Sequence, residues 1–204
     1  MALAEEKWGS DTPILIHSDA IVTDAEGKTL YDSFFEHQGW DSNSVTLNKL
    51  LVQNNATGCT MLLNAPLREL VLQYGKPEDM VMHDWFVAMT AAAFGRVVCT
   101  EEALLRYRQH GGNVMGASEA TQLGRAARVL RTWQKGKDRM ALTYANAMHF
   151  SQAYGDALPD AAKETLTHYL ALEKRWKPLR WWGYWHGGYT MQSFVTKIGQ
   201  IVFG

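Results

Sequence analysis

Two cysteines in 204 residues, Cys59 and Cys99, are too few for a disulfide scaffold, and their spacing matches no zinc site. A chain of this size folds without a single bridge, so a reducing compartment is expected. Long hydrophobic runs are also missing. The nearly apolar stretches 85–94 and Phe194–Phe203 are interrupted by Thr90 and Lys197, and both fall well short of the ~20 residues that span a bilayer. The opening Met1-Ala2-Leu3-Ala4-Glu5-Glu6 is acidic where a secretory signal is basic, and no apolar segment follows it, so export is not expected. Net charge is nearly absent at −1, but the total hides an opposition: residues 1–119 carry −8 and residues 120–204 carry +7. With 47% apolar and 20% charged residues, the composition excludes a disordered chain and supports a buried core.

Residues 14–17 and 20–23 are short β-prone runs around Ser18-Asp19. The turn Asp24-Ala25-Glu26-Gly27 follows, and then the strand-like residues 28–35. Ser44 is placed to cap a short helix carrying Leu47, Leu50 and Leu51, after which 57–63 reads as extended. Asn64 and Pro66 open a helix over 65–73, which Gly75 and Pro77 close, and a loop with Glu78 and Asp79 comes next. Asp84 sits in the first turn of an apolar helix ending at Phe94, with Gly95 in the position of a helix-terminating glycine. Residues 96–99 and 104–109 read as two more strands. From about Ala117 onward the spacing of Ala126, Val129, Leu130 and Trp133, and of Leu166, Tyr169, Leu170 and Leu172, is helical, with breaks at Pro159 and Pro178.

Three local patterns could carry chemistry. The first is His83-Asp84-Trp85 at a helix start, where the positive end of the helix dipole favours a carboxylate able to accept a proton from a sugar hydroxyl. Read alone, the same tripeptide is more often a capping Asp followed by a core Trp. The second is Arg106-Tyr107-Arg108-Gln109-His110, with Asn113 after Gly111-Gly112. Alternation in a strand puts Arg106, Arg108 and His110 on one face, a phosphate or metal-phosphate site or simply a solvated edge, and Tyr107 and Gln109 on the other. The third is the polar turn Asn55-Ala56-Thr57-Gly58-Cys59-Thr60, able to offer backbone groups and a hydroxyl to a small polar ligand.

In their order, Thr-Gly-Cys-Thr, then His-Asp-Trp about twenty-five residues later, then Tyr-Arg-Gln-His after a similar interval, the chain resembles the bacterial family 2 glycosyltransferases. The likeness is to the rhamnosyltransferase-like enzymes of O-antigen and capsule synthesis, and it covers roughly residues 13–118. It implies an α/β fold of the GT-A type, whose N-terminal half binds a nucleotide-sugar and whose C-terminal half binds the acceptor, with inversion at the anomeric carbon. By this likeness Asp84 is the catalytic base and His83, Trp85, Thr57 and Gly58 line the acceptor pocket. Arg106, Arg108, His110 and Asn113 face the diphosphate, and His110 approaches the divalent cation, Mg or Mn.

One departure accompanies the match. In the family, a strand–turn–helix nucleotide-binding unit and an acidic metal motif come before the region corresponding to residues 14–17, whereas thirteen residues precede Ile14 here. Asp19 and Asp24 are too far apart to form that motif. The expectation is a partial GT-A sandwich over 1–118 that lacks the donor-binding half, through truncation or because a separate polypeptide supplies it. A mostly helical appendage over 119–204 follows.

Five of the eight tryptophans, Trp133, Trp176, Trp181, Trp182 and Trp185, lie in the basic tail. Aromatic rings among basic residues suit the headgroup layer of an anionic membrane, where a lipid-linked acceptor also lies. They equally suit the core of a helical subdomain. No nucleic-acid-binding module is present, and no nucleic-acid partner is expected. The expected location is cytoplasmic, peripheral to the inner face of the membrane. The expected function is sugar transfer from a nucleotide-sugar to a lipid-linked or oligosaccharide acceptor in surface polysaccharide synthesis. The alternative is a catalytically silent binding or scaffolding module at the membrane.

Overall fold

The structure, a computed structural model, describes residues 1–74, 81–109 and 125–204. A short helix α1 (Ala2–Trp8) leads into β1 (Ile14–Thr23), the central strand of a four-stranded mixed sheet. Strand β4 (Arg96–Arg108) runs parallel to β1 on one side. On the other side β3 (Leu62–Leu63) pairs antiparallel with Leu15 and Ile16, and β2 (Thr29–Tyr31) with Val22 and Thr23. The molecule is therefore α/β.

The sequence suggests two runs broken at Ser18-Asp19, but β1 passes straight through, because both oxygens of the buried Asp19 carboxylate are hydrogen-bonded. Its Oδ1 accepts from the backbone N–H of Ala20, Phe34 and Phe35 at 2.7, 3.0 and 3.0 Å, and its Oδ2 accepts from the Ser33 hydroxyl at 2.5 Å. Those bonds also explain why the extended reading of 28–35 fails beyond Tyr31. Ser33 caps helix α2 (Phe34–Gln38) by accepting from Glu36 N at 3.0 Å, and Asp19 takes up two more free N–H groups of its first turn. Gly39, at φ 65°, closes the helix in the left-handed conformation.

Helix α3 (Leu47–Leu50) is present, but Thr46 rather than Ser44 stands at its start, and Ser44 is buried beside Asp41 with a 3.3 Å bond to Asp41 Oδ2. Where the sequence reads as extended over 57–63, the chain makes a 3-10 turn (Gly58–Thr60) before the two residues of β3. Asn64 opens α4 (Ala65–Tyr74) and ties it to the sheet, since its Oδ1 accepts from Ile14 N at 2.8 Å and its Nδ2 donates to the Thr12 carbonyl at 2.8 Å. The expected terminators Gly75 and Pro77, and the loop residues Glu78 and Asp79, lie outside the described residues.

Helix α5 (His83–Phe94) is buried from Asp84 through Ala91. Gly95 follows it in extended backbone, not the left-handed conformation. A glycine is needed because a Cβ there would lie 1.9 Å from the Pro13 carbonyl oxygen, at the point where β4 begins to pair with β1. Residues 96–99 and 104–109 belong to one strand. Ser18 faces Thr100, Asp19 faces Ala103 and Ala20 faces Leu105, so Glu101, Glu102 and Leu104 bulge out and are exposed.

The tail is helical as its spacing predicts: α6 (Arg125–Tyr154), α7 (Asp160–Leu172), α8 (Lys177–His186) and α9 (Phe194–Phe203). Pro159 precedes α7 directly, and Pro178 sits in the first turn of α8, where its missing N–H costs nothing. Packing is continuous across the two parts of the chain. Leu15, Leu50, Leu67, Phe86 and Met89 share one core with Met140, Tyr144, Phe150, Leu166, Tyr169 and Tyr184. Buried tyrosines satisfy their hydroxyls within it: Tyr154 with Thr90 at 2.8 Å, Tyr169 with Thr143 at 2.7 Å, and Tyr144 with Tyr184 at 2.5 Å. Among the described residues no helix is long and apolar enough to cross a membrane.

Candidate functional site

The first turn of α5 and the turn before β3 meet around Asp84. Asp84 is 8% exposed, and three N–H donors hold its carboxylate: Trp85 N to Oδ1 at 2.7 Å, Asn54 Nδ2 to Oδ1 at 3.3 Å, and Gly58 N to Oδ2 at 3.2 Å. A carboxylate has about four lone-pair positions, so this arrangement leaves acceptor capacity on Oδ2. Asn54 is itself fixed, accepting from Ala56 N at 3.0 Å and donating to the Ala56 carbonyl at 2.8 Å.

Gly58 is there for closeness. A Cβ at that position would stand 2.8 Å from His83 Nε2, so the exposed imidazole lies directly over the glycine backbone beside Asp84. The Thr57 carbonyl takes the N–H of Thr60 at 2.8 Å and its hydroxyl at 2.8 Å, which shapes the 3-10 turn that aims Gly58 N at the carboxylate. Trp85 points the other way: it is buried and its indole Nε1–H donates to the Leu50 carbonyl at 2.5 Å, pinning α3 against α5.

Two further side chains share the surroundings of Asp84. Desolvation and the negative charge of Asp84 push the Cys59 thiol up from its ordinary value, which keeps it protonated and a poor nucleophile at neutral pH. Desolvation, followed by Cys59 and Asp84, likewise raises the Tyr107 phenol, whose ring stacks on Phe34 at 5.2 Å. Asn54 is thus a member of the site that the sequence motifs do not name, and Tyr107, part of the second motif, lies close enough for the Asp84 charge to act on it. For Tyr107 the available signal is strand alternation, which sets it opposite Arg106 and Arg108.

The structure gathers Thr57, Gly58, His83 and Asp84 into one locus and turns Trp85 into the core beneath it. Arg106 and Arg108 are exposed and alternate with Tyr107, so they project from the other face of β4; Arg106 Nη1 donates to the Gly27 carbonyl at 3.3 Å. His110 and Asn113 lie outside the described residues, as do Gly111 and Gly112. Among the described residues no three His, Cys, Asp or Glu side chains converge to hold a metal ion. Compared with family models, curated proteins and solved structures, the chain gives no match.

Proposed function

We infer that this chain supplies the acceptor-side half of an inverting family 2 glycosyltransferase of the GT-A type. It would move a sugar from a nucleotide-sugar onto a lipid-linked or oligosaccharide acceptor in bacterial surface polysaccharide synthesis, at the inner face of the membrane. The observation that supports this reading is the Asp84 carboxylate. It is nearly buried at a helix N-terminus, held by three N–H donors, and retains acceptor capacity on Oδ2 beside an exposed His83 and a glycine backbone.

In this reading an acceptor hydroxyl donates its hydrogen bond to Asp84 Oδ2. As the hydroxyl oxygen attacks the anomeric carbon, its proton passes to the carboxylate, the bond to the leaving nucleoside diphosphate breaks with its electron pair, and the configuration inverts. Gly58 N–H and the Asn54 amide keep the carboxylate oriented throughout. His83 borders the acceptor. The divalent cation that the family uses has no donor cluster among the described residues, and Asp84 and its neighbours act on the acceptor alone.

The test joins the chain to the nucleotide-binding half of a family 2 rhamnosyltransferase and measures transfer from a radiolabelled nucleotide-sugar to lipid-linked oligosaccharide. Asp84→Asn is expected to lower transfer by about 10²–10⁴-fold, the usual contribution of a general base, while the melting temperature holds. A variant that keeps more than about a tenth of the activity, a generous margin below that range, would return Asp84 to a capping role. A folded fusion that transfers nothing would overturn the reading as a whole.

A further inference from the structure

Helices α8 and α9 leave apolar side chains in the open. On α9, Phe194, Ile198 and Ile201 fall at i, i+4 and i+7, a stripe that a helix ordinarily buries, yet they are 77%, 47% and 52% exposed. On α8, Trp181 and Trp185 form the matching i, i+4 pair, and Trp185 is 78% exposed. The two stripes do not close on each other. They wall a cleft of about 500 Å³, within the range that takes a single ligand, with the buried Tyr184 and Gln200 among its lining. Gln200 is occupied in holding the cleft's frame, accepting from Met191 N at 3.0 Å and donating to the Tyr189 carbonyl at 2.6 Å.

Charge decides what fits. Residues 174–204 contain five Lys and Arg and no Asp or Glu. Two ammonium groups line the cleft itself: Lys197 from α9, and Lys49 from α3, whose Nζ donates to Thr190 Oγ1 at 2.5 Å. Lys49 is partly desolvated and lies near enough to Lys197 that both influences lower its pKa, with Asp41 opposing them as the smallest of the three. Two like charges beside an apolar groove call for an anion with a hydrocarbon attached.

We propose that the α8–α9 cleft is a binding site for one anionic phospholipid of a bilayer surface. Its phosphate lies between Lys49 and Lys197, and an acyl chain runs along Trp181, Trp185, Ile198 and Ile201. None of these residues belongs to the Asp84 site, so this proposal and the transferase reading stand or fall separately.

The experiment uses the full chain and vesicles of phosphatidylglycerol or phosphatidylcholine in co-sedimentation, with tryptophan emission as a second readout. The wild type is expected to sediment with phosphatidylglycerol vesicles at low salt and to shift its emission to the blue, and to stay in solution with phosphatidylcholine. Inorganic phosphate alone should reproduce neither effect. Lys49→Gln with Lys197→Gln is expected to lower vesicle partitioning by on the order of tenfold or more, and Lys174→Gln with Arg175→Gln, the same charge removed outside the cleft, by no more than about threefold. Phe194→Ser with Ile198→Ser, at exposed positions whose loss leaves the fold intact, should reduce the part of binding that survives high salt. Equal losses from the two charge pairs, an equal response to inorganic phosphate, or a wild type that stays in the supernatant with phosphatidylglycerol would each overturn the proposal.

Discussion

His17 and Asp19 stand two residues apart on β1, both buried, with opposite fates. Asp19 makes four hydrogen bonds, whereas neither ring nitrogen of His17 has a partner among the described residues and burial drives its pKa down to about 4 from 6.5. Below pH 6.5 the unfolded chain takes up a proton that the native ring refuses, so stability present above that pH is lost as pH falls toward 4. The loss grows to about 3 kcal/mol for a shift of this size. Urea titrations at pH 7 and pH 4.5 are expected to show most of this difference in the wild type and a smaller one in His17→Leu, which fills the site without polar atoms. Neither fate is legible in the sequence, since a strand buried on both faces gives alternation nothing to discriminate. Asp84 is legible because its helix start is local. From the sequence, Gly58 enters the site through the resemblance alone, and its bond to Asp84 and that of Asn54 are not legible, because they span 26 and 30 residues.

Among the elements, the helices read best from sequence and the sheet worst. Asn64 with Pro66 marks α4, and the run ending at Gly95 marks α5, because the cap and the apolar period lie within one segment. Strand β4 reads as two because its bulged Glu101, Glu102 and Leu104 interrupt the alternation, and a bulge is defined by the partner strand. The short α2 is hidden within a β-prone stretch, although Ser33 followed by Glu36 has the spacing of a capping box. Gly95 stands out in the sequence, but for a helix-end conformation it does not adopt. Its real constraint is the Pro13 carbonyl, so Gly95→Ala must push β1 and β4 apart where they first pair. A loss of roughly 2–4 kcal/mol is expected, the range of a severe steric clash in a core, read as a lowered urea midpoint with an unchanged slope. A midpoint within error of the wild type would show that the strands tolerate the methyl group.

At the scale of the whole molecule, the charge division is real in sequence but does not divide the packing. Asn48 Nδ2 donates to the Gly187 carbonyl at 3.0 Å, Asp41 N to Gln192 Oε1 at 2.8 Å, and Gln192 N to Gln53 Oε1 at 2.9 Å, stitching the acidic part to the basic tail above a shared core. Tryptophan fluorescence and far-ultraviolet circular dichroism are expected to report one coincident unfolding transition. Residues 1–118 expressed alone, deprived of Phe150, Tyr154 and Tyr169, should unfold without a cooperative baseline; two separate transitions in the full chain would refute this. Helix α3, which carries Asn48, also lies between two loci. Lys49 and Leu50 are consecutive in a helix of four residues. The first lines the α8–α9 cleft, and the carbonyl of the second holds the indole of Trp85, the residue next to Asp84. A ligand that favours one placement of that helix would act as an effector for the other locus. Under the two proposals, linkage would make the effect reciprocal: the factor by which a bound phospholipid altered affinity for an acceptor would equal the factor by which the acceptor altered affinity for the phospholipid.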